Sequence, residues 1–457
     1  MYLIYSLLMG LAAIVLAPYW IVKGIRHKKY LSNLGERLGL SFPGLENSSA
    51  RKGGAIWLHA VSVGEVLSSV TLARRLKEKY PDRPLVVSTT TITGNALARE
   101  RLPFADAVVY FPLDWVFCVR RTLRAVQPAL VLIVETEIWP NFLRECGRQR
   151  IPVGLVSGRI SDRSFVRYQR NFKLFGFFLR PLLRSALANV GAFLMQSERD
   201  AERVRMLGAP GERVVVSGNL KYDLDLPAET PLSQWLAQEV DRAGRRPLIV
   251  AGSVVATEEP LVLIAFGVLQ GEHAKALLVM APRKPERFDA AAAFIDESHR
   301  KFVRRSELAV VRPSGGTASA NGASQIHDGV SVLLLDSIGE LASLYRHADG
   351  VFVGGSLVTS GGHNILEPAA FGKIPVYGDS MENFAEMSRR FLEADAAVQV
   401  MSPEDAGVTW IELLRDPERS QRMGGAARRL VEGSRGATNR ALETVDTLLD
   451  KGASAAG

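Results

Sequence analysis

Three carboxylates and one lysine in the amino-terminal half sit where group-transfer chemistry would use them. The run HAVSVGEV (59–66) ends a short apolar stretch with a turn carrying Ser62 and Gly64, then opens a helix with Glu65 in its first turn. A carboxylate so placed points into a cleft beyond the strand and can take the proton of an attacking hydroxyl. The helix dipole favours the same placement for purely local reasons, and spacing alone leaves the two readings level. In VETEIWPN (134–141), Glu135 stands at a strand tip and Glu137 two residues on, which is one face of an extended chain. Buried carboxylates need a partner or a purpose. Lys221 in SGNLKYD (217–223) is a candidate for that partner, or a cation for phosphate, with an interdomain ion pair as the plain alternative.

Further groups suit anionic and lipid ligands. The stretch GRISDRSFVRYQRNF (158–172) interleaves Arg159, Arg163, Arg167 and Arg170 with Phe165, Tyr168 and Phe172, and its one acid is Asp162. Guanidinium forks match phosphate oxygens, so acceptor phosphates or a membrane surface are the expected contacts, with the aromatic residues facing lipid. In the carboxyl-terminal half, APRKPERF (281–288) supplies Arg283, Lys284 and Arg287, and DSIGEL (336–341) places Gly339 and Glu340 at a helix start. GGSLVTSGGHNILEPAAFGKIPVYG (354–378) delivers His363 and Asn364 from a Gly-Gly turn to a helix carrying Glu367. The amides of that helix start are expected to hold a nucleotide phosphate, and Glu367 to accept from ribose hydroxyls. A tight turn with a helix cap would not need His, Asn and Glu together.

These motifs follow short apolar runs that read as strands. In the first half the runs are 55–61, 85–90, 107–113, 129–135, 152–158, 192–197 and 214–219; in the second, 247–253, 276–282, 301–306, 331–337, 350–356 and 374–379. Continuous apolar runs separated by amphipathic helices are what a parallel sheet covered on both faces requires. The expected fold is α/β with two Rossmann-like domains facing across a cleft, the GT-B architecture, in which ligands bind beyond the carboxyl ends of the strands. The expected divisions are an anchor over 1–22, a basic connector over 23–54, the acceptor-binding domain over 55–223, a linker over 224–246, the nucleotide-binding domain over 247–402, and helices over 403–457 that pack back onto the first domain. Residues 313–329 form a low-complexity loop, expected to be mobile.

Residues 2–22 are uncharged, about the 20 residues a membrane-crossing helix needs, and Lys23, Arg26, Lys28 and Lys29 follow at once. That flank predicts a single-pass transmembrane helix with the remaining chain on the cytoplasmic face of the inner membrane. A cleaved signal peptide would carry its cations ahead of the apolar run, and a half-inserted monotopic helix is the other alternative. Residues 1–223 hold 32 Lys and Arg against 17 Asp and Glu, whereas residues 224–457 hold 24 against 31. A basic front half beside an anchor argues for an anionic membrane surface as partner and against nucleic acid. The two cysteines, Cys118 and Cys146, lie in no metal-binding pattern, which predicts neither disulfide nor zinc.

HAVSVGE, LVLIVETEIWPN, SGNLKYD, PRKPERF, GELxxLYRHAD and VGGSLVTSGGHNILEPAAFGK, in this order over nearly the whole chain, resemble the 3-deoxy-D-manno-octulosonic acid (Kdo) transferases of lipopolysaccharide synthesis. The resemblance implies an inverting, metal-independent glycosyltransferase that needs no cofactor and moves Kdo from CMP-Kdo to a lipid A precursor, lipid IVA. It implies Glu65 as the proton acceptor and Glu135 with Lys221 as stabilisers of the transition state. Contacts to CMP fall on Pro282 and Arg283, on Ile338, Gly339 and Glu340, and on Asn364, Ile365, Leu366 and Glu367. Arg159, Arg163 and Arg167 are the expected acceptor side. Where the family commonly reads STHxGEE, this chain has GSVVATEE (252–259), and where it reads PRHPER, Lys284 replaces a histidine. The rival readings are a UDP-sugar transferase or epimerase of the same fold, and a non-catalytic lipid-binding relic.

Overall fold

The computed structural model describes residues 1–26, 33–46, 54–223, 226, 228–310 and 325–456. The chain folds as two compact units, Met1–Asp223 with Ser434–Gly457, and Leu224–Gly433. Each is built on a seven-stranded sheet whose printed pairings are all parallel. The strands of the first unit are β1 (Ala55–His59), β2 (Leu85–Thr89), β3 (Ala107–Tyr110), β4 (Pro128–Val134), β5 (Val153–Gly158), β6 (Ala192–Met195) and β7 (Val214–Val216). Those of the second are β8 (Leu248–Val254), β9 (Leu277–Pro282), β10 (Lys301–Arg304), β11 (Val330–Leu334), β12 (Gly350–Val353), β13 (Pro375–Tyr377) and β14 (Val398–Gln399). Every residue of β1, β2, β3 and β5 is buried, the signature of a sheet covered on both faces.

Strand order places the motifs. In the first sheet, β3-β2-β1-β4-β5-β6-β7, the order reverses between β1 and β4; in the second, β10-β11-β9-β8-β12-β13-β14, it reverses at the β8–β12 pair. Reversal points leave a crevice at the carboxyl ends of adjacent strands. Glu65 follows β1 and Glu135 follows β4, while GSVVATEE ends β8 and the Gly-Gly run follows β12. Non-glycine residues in the left-handed region mark the same tips, with φ 57° at Glu135 and Ser253 and 53° at Ser157.

Several expectations need correction. Residues 2–22 were to cross a membrane, but among the described residues no helix is long and apolar enough to do so. The helix Tyr2–Arg26 is instead tied along its first turns to the first unit. The Tyr2 hydroxyl donates to Ser185 Oγ (3.1 Å), the Tyr5 hydroxyl to Asp114 Oδ2 (3.1 Å), and Asn141 Nδ2 to Ser6 Oγ (3.0 Å), with the Arg144 guanidinium over the Tyr2 ring. Residues 224–246 are not merely a linker, because the helix Pro231–Arg242 has a Thr230–Ser233 capping box and buries Leu232, Leu236 and Val240. Of the carboxyl-terminal helices, Pro403–Arg415 and Pro417–Gly433 remain with the second unit; only Ala437–Ala456 returns to the first. There Ala441, Val445 and Leu448 join the core beside Leu72, Leu132 and Val156. Asp223 fastens the return by accepting N–H bonds from Gly436 (2.7 Å) and Thr438. The low-complexity loop lies largely outside the described residues, as does part of the basic connector.

Candidate active site

In the first unit Ser62 caps the helix Val63–Lys79. Its hydroxyl donates to Glu65 Oε1 (2.9 Å) and accepts the Glu65 N–H, while Val61 N–H donates to Glu65 Oε2 (2.7 Å). These contacts fold the carboxylate back over its own helix start, leaving Glu65 only 7% exposed. Burial pushes its pKa up to about 7, opposed by the Val61 and Ser62 hydrogen bonds and assisted by the negative charges of Glu135 and Glu137. A carboxylate with that acidity is matched to proton transfer near neutrality.

Glu135 turns the chain at the tip of β4, so residues 135–139 do not continue the strand and the expected extended face for Glu135 and Glu137 is absent. Both carboxylates nevertheless act on Glu65. Burial and the Glu135 charge also raise the pKa of Glu137. Lys221 Nζ lies 4.0 Å from Glu135 Oε1, a loose ion pair within the first unit. Its backbone is held more firmly. Lys221 N–H donates to Asn219 Oδ1 (2.9 Å), Asn219 Nδ2 to Gln196 Oε1 (3.0 Å), and Gln196 Nε2 to the carbonyl of Ser157 (2.9 Å).

The Arg-rich stretch forms the start of the helix Asp162–Leu187, with Arg163 and Arg167 exposed and the Arg159 N–H bonded to Thr136 Oγ1 (2.9 Å). Its aromatic residues do not face outward as expected. Phe165, Tyr168 and Phe172 pack against the core of the first unit, and Arg203 and Arg180 cover Phe165 and Phe172. Their spacing of three and four residues is that of a buried helical stripe. The exposed aromatic side chains come later, at Phe175 and at Phe177, which is 94% exposed. Between them and the end of the helix, Pro181 cannot donate to the Phe177 carbonyl, and the helix is kinked at Phe175.

In the second unit Pro282 ends β9, and Arg283 is exposed with its N–H bonded to the Val254 carbonyl (2.8 Å). Ile338 is exposed and Gly339 has φ 93°, with open space where a Cβ would stand. Glu340 is different. Its carboxylate is buried against Arg305, at 2.9 and 3.0 Å, and accepts from Ser337. Any ligand contact at position 340 is therefore left to the backbone. Ile365 and Leu366 likewise bury their side chains, leaving main-chain groups.

Asn364 Oδ1 accepts the Leu366 N–H (3.1 Å), and its Nδ2 lies 3.4 Å from Glu367 Oε1. His363 Nδ1 is 2.9 Å from the Gly354 carbonyl, and burial holds its pKa below the usual imidazole value. The helix expected to aim its dipole at a phosphate is only Leu366–Ala370, little more than one turn, so a macrodipole contributes little. Among the described residues no group of three or more His, Cys, Asp or Glu side chains is placed to hold a metal ion.

Two residues with a clear structural task drew little notice in the sequence. Glu258 and Glu259 open the helix Glu259–Glu272 and are both fully buried. The available signal was two consecutive acids entering an otherwise apolar helix directly after a strand. Thr257, where the resembled motif has glycine, takes φ 72°, a strained setting for a β-branched residue.

A family model described as 3-Deoxy-D-manno-octulosonic-acid transferase (kdotransferase) matches residues 32–224. The 3-deoxy-D-manno-octulosonic acid transferase of Haemophilus influenzae is 33% identical over 93% of this chain and 94% of its own length. That of Bordetella pertussis is 32% identical over 86% of this chain and 87% of its own. Among solved structures, UDP-GlcNAc 2-epimerase from Neisseria meningitidis bound to UDP-GlcNAc superposes with a TM-score of 0.51 at 13% identity, covering 86% of this chain and all of that one. That likeness speaks for the GT-B-like fold alone. With kinship of this extent to two relatives, and the motif residues at the switch points of both sheets, the chain belongs to the 3-deoxy-D-manno-octulosonic acid transferase family.

Proposed function

We propose that this protein transfers Kdo from CMP-Kdo to a primary hydroxyl of a lipid A precursor, lipid IVA, with inversion at the anomeric carbon. The observation that carries the reading is Glu65, buried yet ionisable near neutrality at the tip of β1. Glu65 takes the proton of the acceptor hydroxyl, and the oxygen's electron pair forms the new bond to the anomeric carbon. The bond from that carbon to the phosphate oxygen breaks, and CMP leaves with its electron pair. Lys221 and Glu135 stabilise the charges that develop, and Arg283 meets the phosphate of departing CMP. Main-chain groups at Pro282, at 338–340 and at 364–366, with the Glu367 carboxylate, complete the nucleotide contacts. The chemistry is assigned no metal and no other cofactor.

The acceptor's phosphates are assigned to Arg159, Arg163 and Arg167, and its acyl chains to an adjoining anionic membrane. Attachment there is proposed to be interfacial rather than spanning. On the helix Tyr2–Arg26, Tyr2, Tyr5 and Ser6 face the protein while Leu3, Ile4, Leu7, Leu8, Leu11, Ile14 and Val15 are exposed. Such an outward apolar stripe suits a helix lying in the plane of the headgroups.

Purified full-length protein is incubated with CMP-Kdo and a tetraacylated lipid A precursor, and product masses are read. The expected product gains one or more Kdo units, and CMP competes with the donor where UDP does not. Protection by UDP with no Kdo product would replace this reading by a UDP-sugar enzyme of the same fold.

A further inference from the structure

The second unit contains a carboxylate that touches none of the proposed ligand contacts yet holds the backbone from which they hang. Among the described residues no cation pairs with Glu258. Its Oε2 accepts N–H bonds from Gly355 (2.6 Å) and Val255 (3.2 Å), and its Oε1 accepts from Ser356 (3.0 Å) and Leu357 (3.0 Å). Burial raises its pKa while these four amides lower it, and with both oxygens accepting, the geometry suits the ionised form. Three of the four amides belong to the turn after β12.

The carbonyls of that turn in turn fix the downstream motif. The Gly354 carbonyl meets His363 Nδ1 at 2.9 Å, and the Gly355 carbonyl accepts the Gly362 N–H at 2.8 Å. Space there is tight. A Cβ on Gly354 would come within 2.5 Å of the Ser253 carbonyl oxygen, and one on Gly355 within 2.4 Å of His363 Nδ1. The turn therefore holds one arrangement, and Glu258 is what its amides are folded around.

The neighbouring residue does the same for the other loop. Glu259 Oε1 accepts from Arg287 Nε (3.0 Å) and Nη2 (2.8 Å), and the carboxylate is fully buried while the guanidinium is partly exposed. Arg287 ends the short turn Pro285–Arg287 that follows Arg283. Two consecutive residues at one helix start thus reach two different loops, one after β12 and one after β9.

We propose that Glu258 and Glu259 are a pair of positioning residues that set the two loops carrying the CMP contacts, Glu258 through the 354–363 turn and Glu259 through Arg287. The proposal rests on the donor reading above for its ligand, but not for its geometry. Glu258→Gln places an amide NH2 against backbone N–H donors, whereas Glu259→Met and Arg287→Met each break the second tie, both of whose hydrogen bonds end on Glu259 Oε1.

The test uses full-length protein and two readouts, CMP binding by calorimetry and hydrogen exchange resolved by segment. Glu258→Gln is expected to weaken CMP binding at least tenfold and to raise the donor KM more than it lowers kcat, leaving the acceptor KM unchanged. Exchange should quicken at 355–357 but not at 283–288. Glu259→Met should show the converse pattern, and its effect should not add to that of Arg287→Met in the double variant. Glu239→Gln is the control, since Glu239 is another buried carboxylate that accepts a backbone N–H, from Ile326 ahead of β11. CMP affinity within twofold of wild type in both Glu258→Gln and Glu259→Met overturns the proposal, and so does equal weakening by Glu239→Gln. Should Glu258→Gln fail to fold, the Glu259 and Arg287 cycle decides. If wild-type protein fails to bind CMP, the donor reading falls and the exchange pattern judges the pair by itself.

Discussion

Glu65 is the residue on which the rate should depend most directly. A general base must be ionised, and burial with the nearby charges of Glu135 and Glu137 holds this one near pH 7. As pH falls below that value the carboxylate gains a proton, so kcat/KM should drop about tenfold per unit on the acid side. Glu65→Ala should cost roughly 10²–10⁴-fold in transfer, the usual contribution of a positioned base, with CMP binding retained. Removing a like charge with Glu137→Gln lowers the pKa of Glu65 and should shift the acid limb to lower pH. A pH–rate profile of wild type and Glu137→Gln checks both, and an unmoved limb would count against Glu65 as the titrating group. The residue type and position were legible in HAVSVGEV, but its acidity was not. That depends first on burial, then on the opposing Val61 and Ser62 hydrogen bonds and on a left-handed turn at Glu135, which no period-two pattern contains.

The strands were the most legible elements, because a sheet buried on both faces writes itself as uninterrupted apolar runs. β14 escaped, being only Val398–Gln399. Helices misled where their partners are distant in sequence. The apolar run at residues 2–22 has the length of a membrane span, yet the Tyr5 hydroxyl finds Asp114, 109 residues away. Phe165, Tyr168 and Phe172 looked like a lipid-facing set, although their spacing is that of a core stripe and could have been read so. The docking of the first helix yields a direct prediction. Tyr5→Phe removes a hydrogen bond to a buried carboxyl, about 1–3 kcal/mol, and should speed amide exchange over residues 5–15 while leaving CMP affinity unchanged. Unaltered exchange would mean the hydroxyl contributes nothing to holding the helix.

At the scale of the whole molecule, function is divided between units of opposite charge, the basic one carrying the proposed base and the acidic one the nucleotide contacts. Substituting Arg159 and Arg163 together with Ala should therefore raise the KM for the lipid acceptor at least tenfold more than the Kd for CMP, and parallel titrations of both ligands check it. Equal losses would remove these arginines from the acceptor side. The division was visible in the charge tally, but the route of the chain was not, because the segment that completes the first unit comes from residues 437–448, far beyond the unit it joins. This has a consequence for synthesis on the ribosome. The first helix and the first sheet emerge early, yet Leu72, Leu132 and Val156 wait for their cover until more than two hundred further residues have been translated. The basic unit is the first to begin folding and the last to finish, and a nascent chain stalled before residue 437 would leave that apolar face bare.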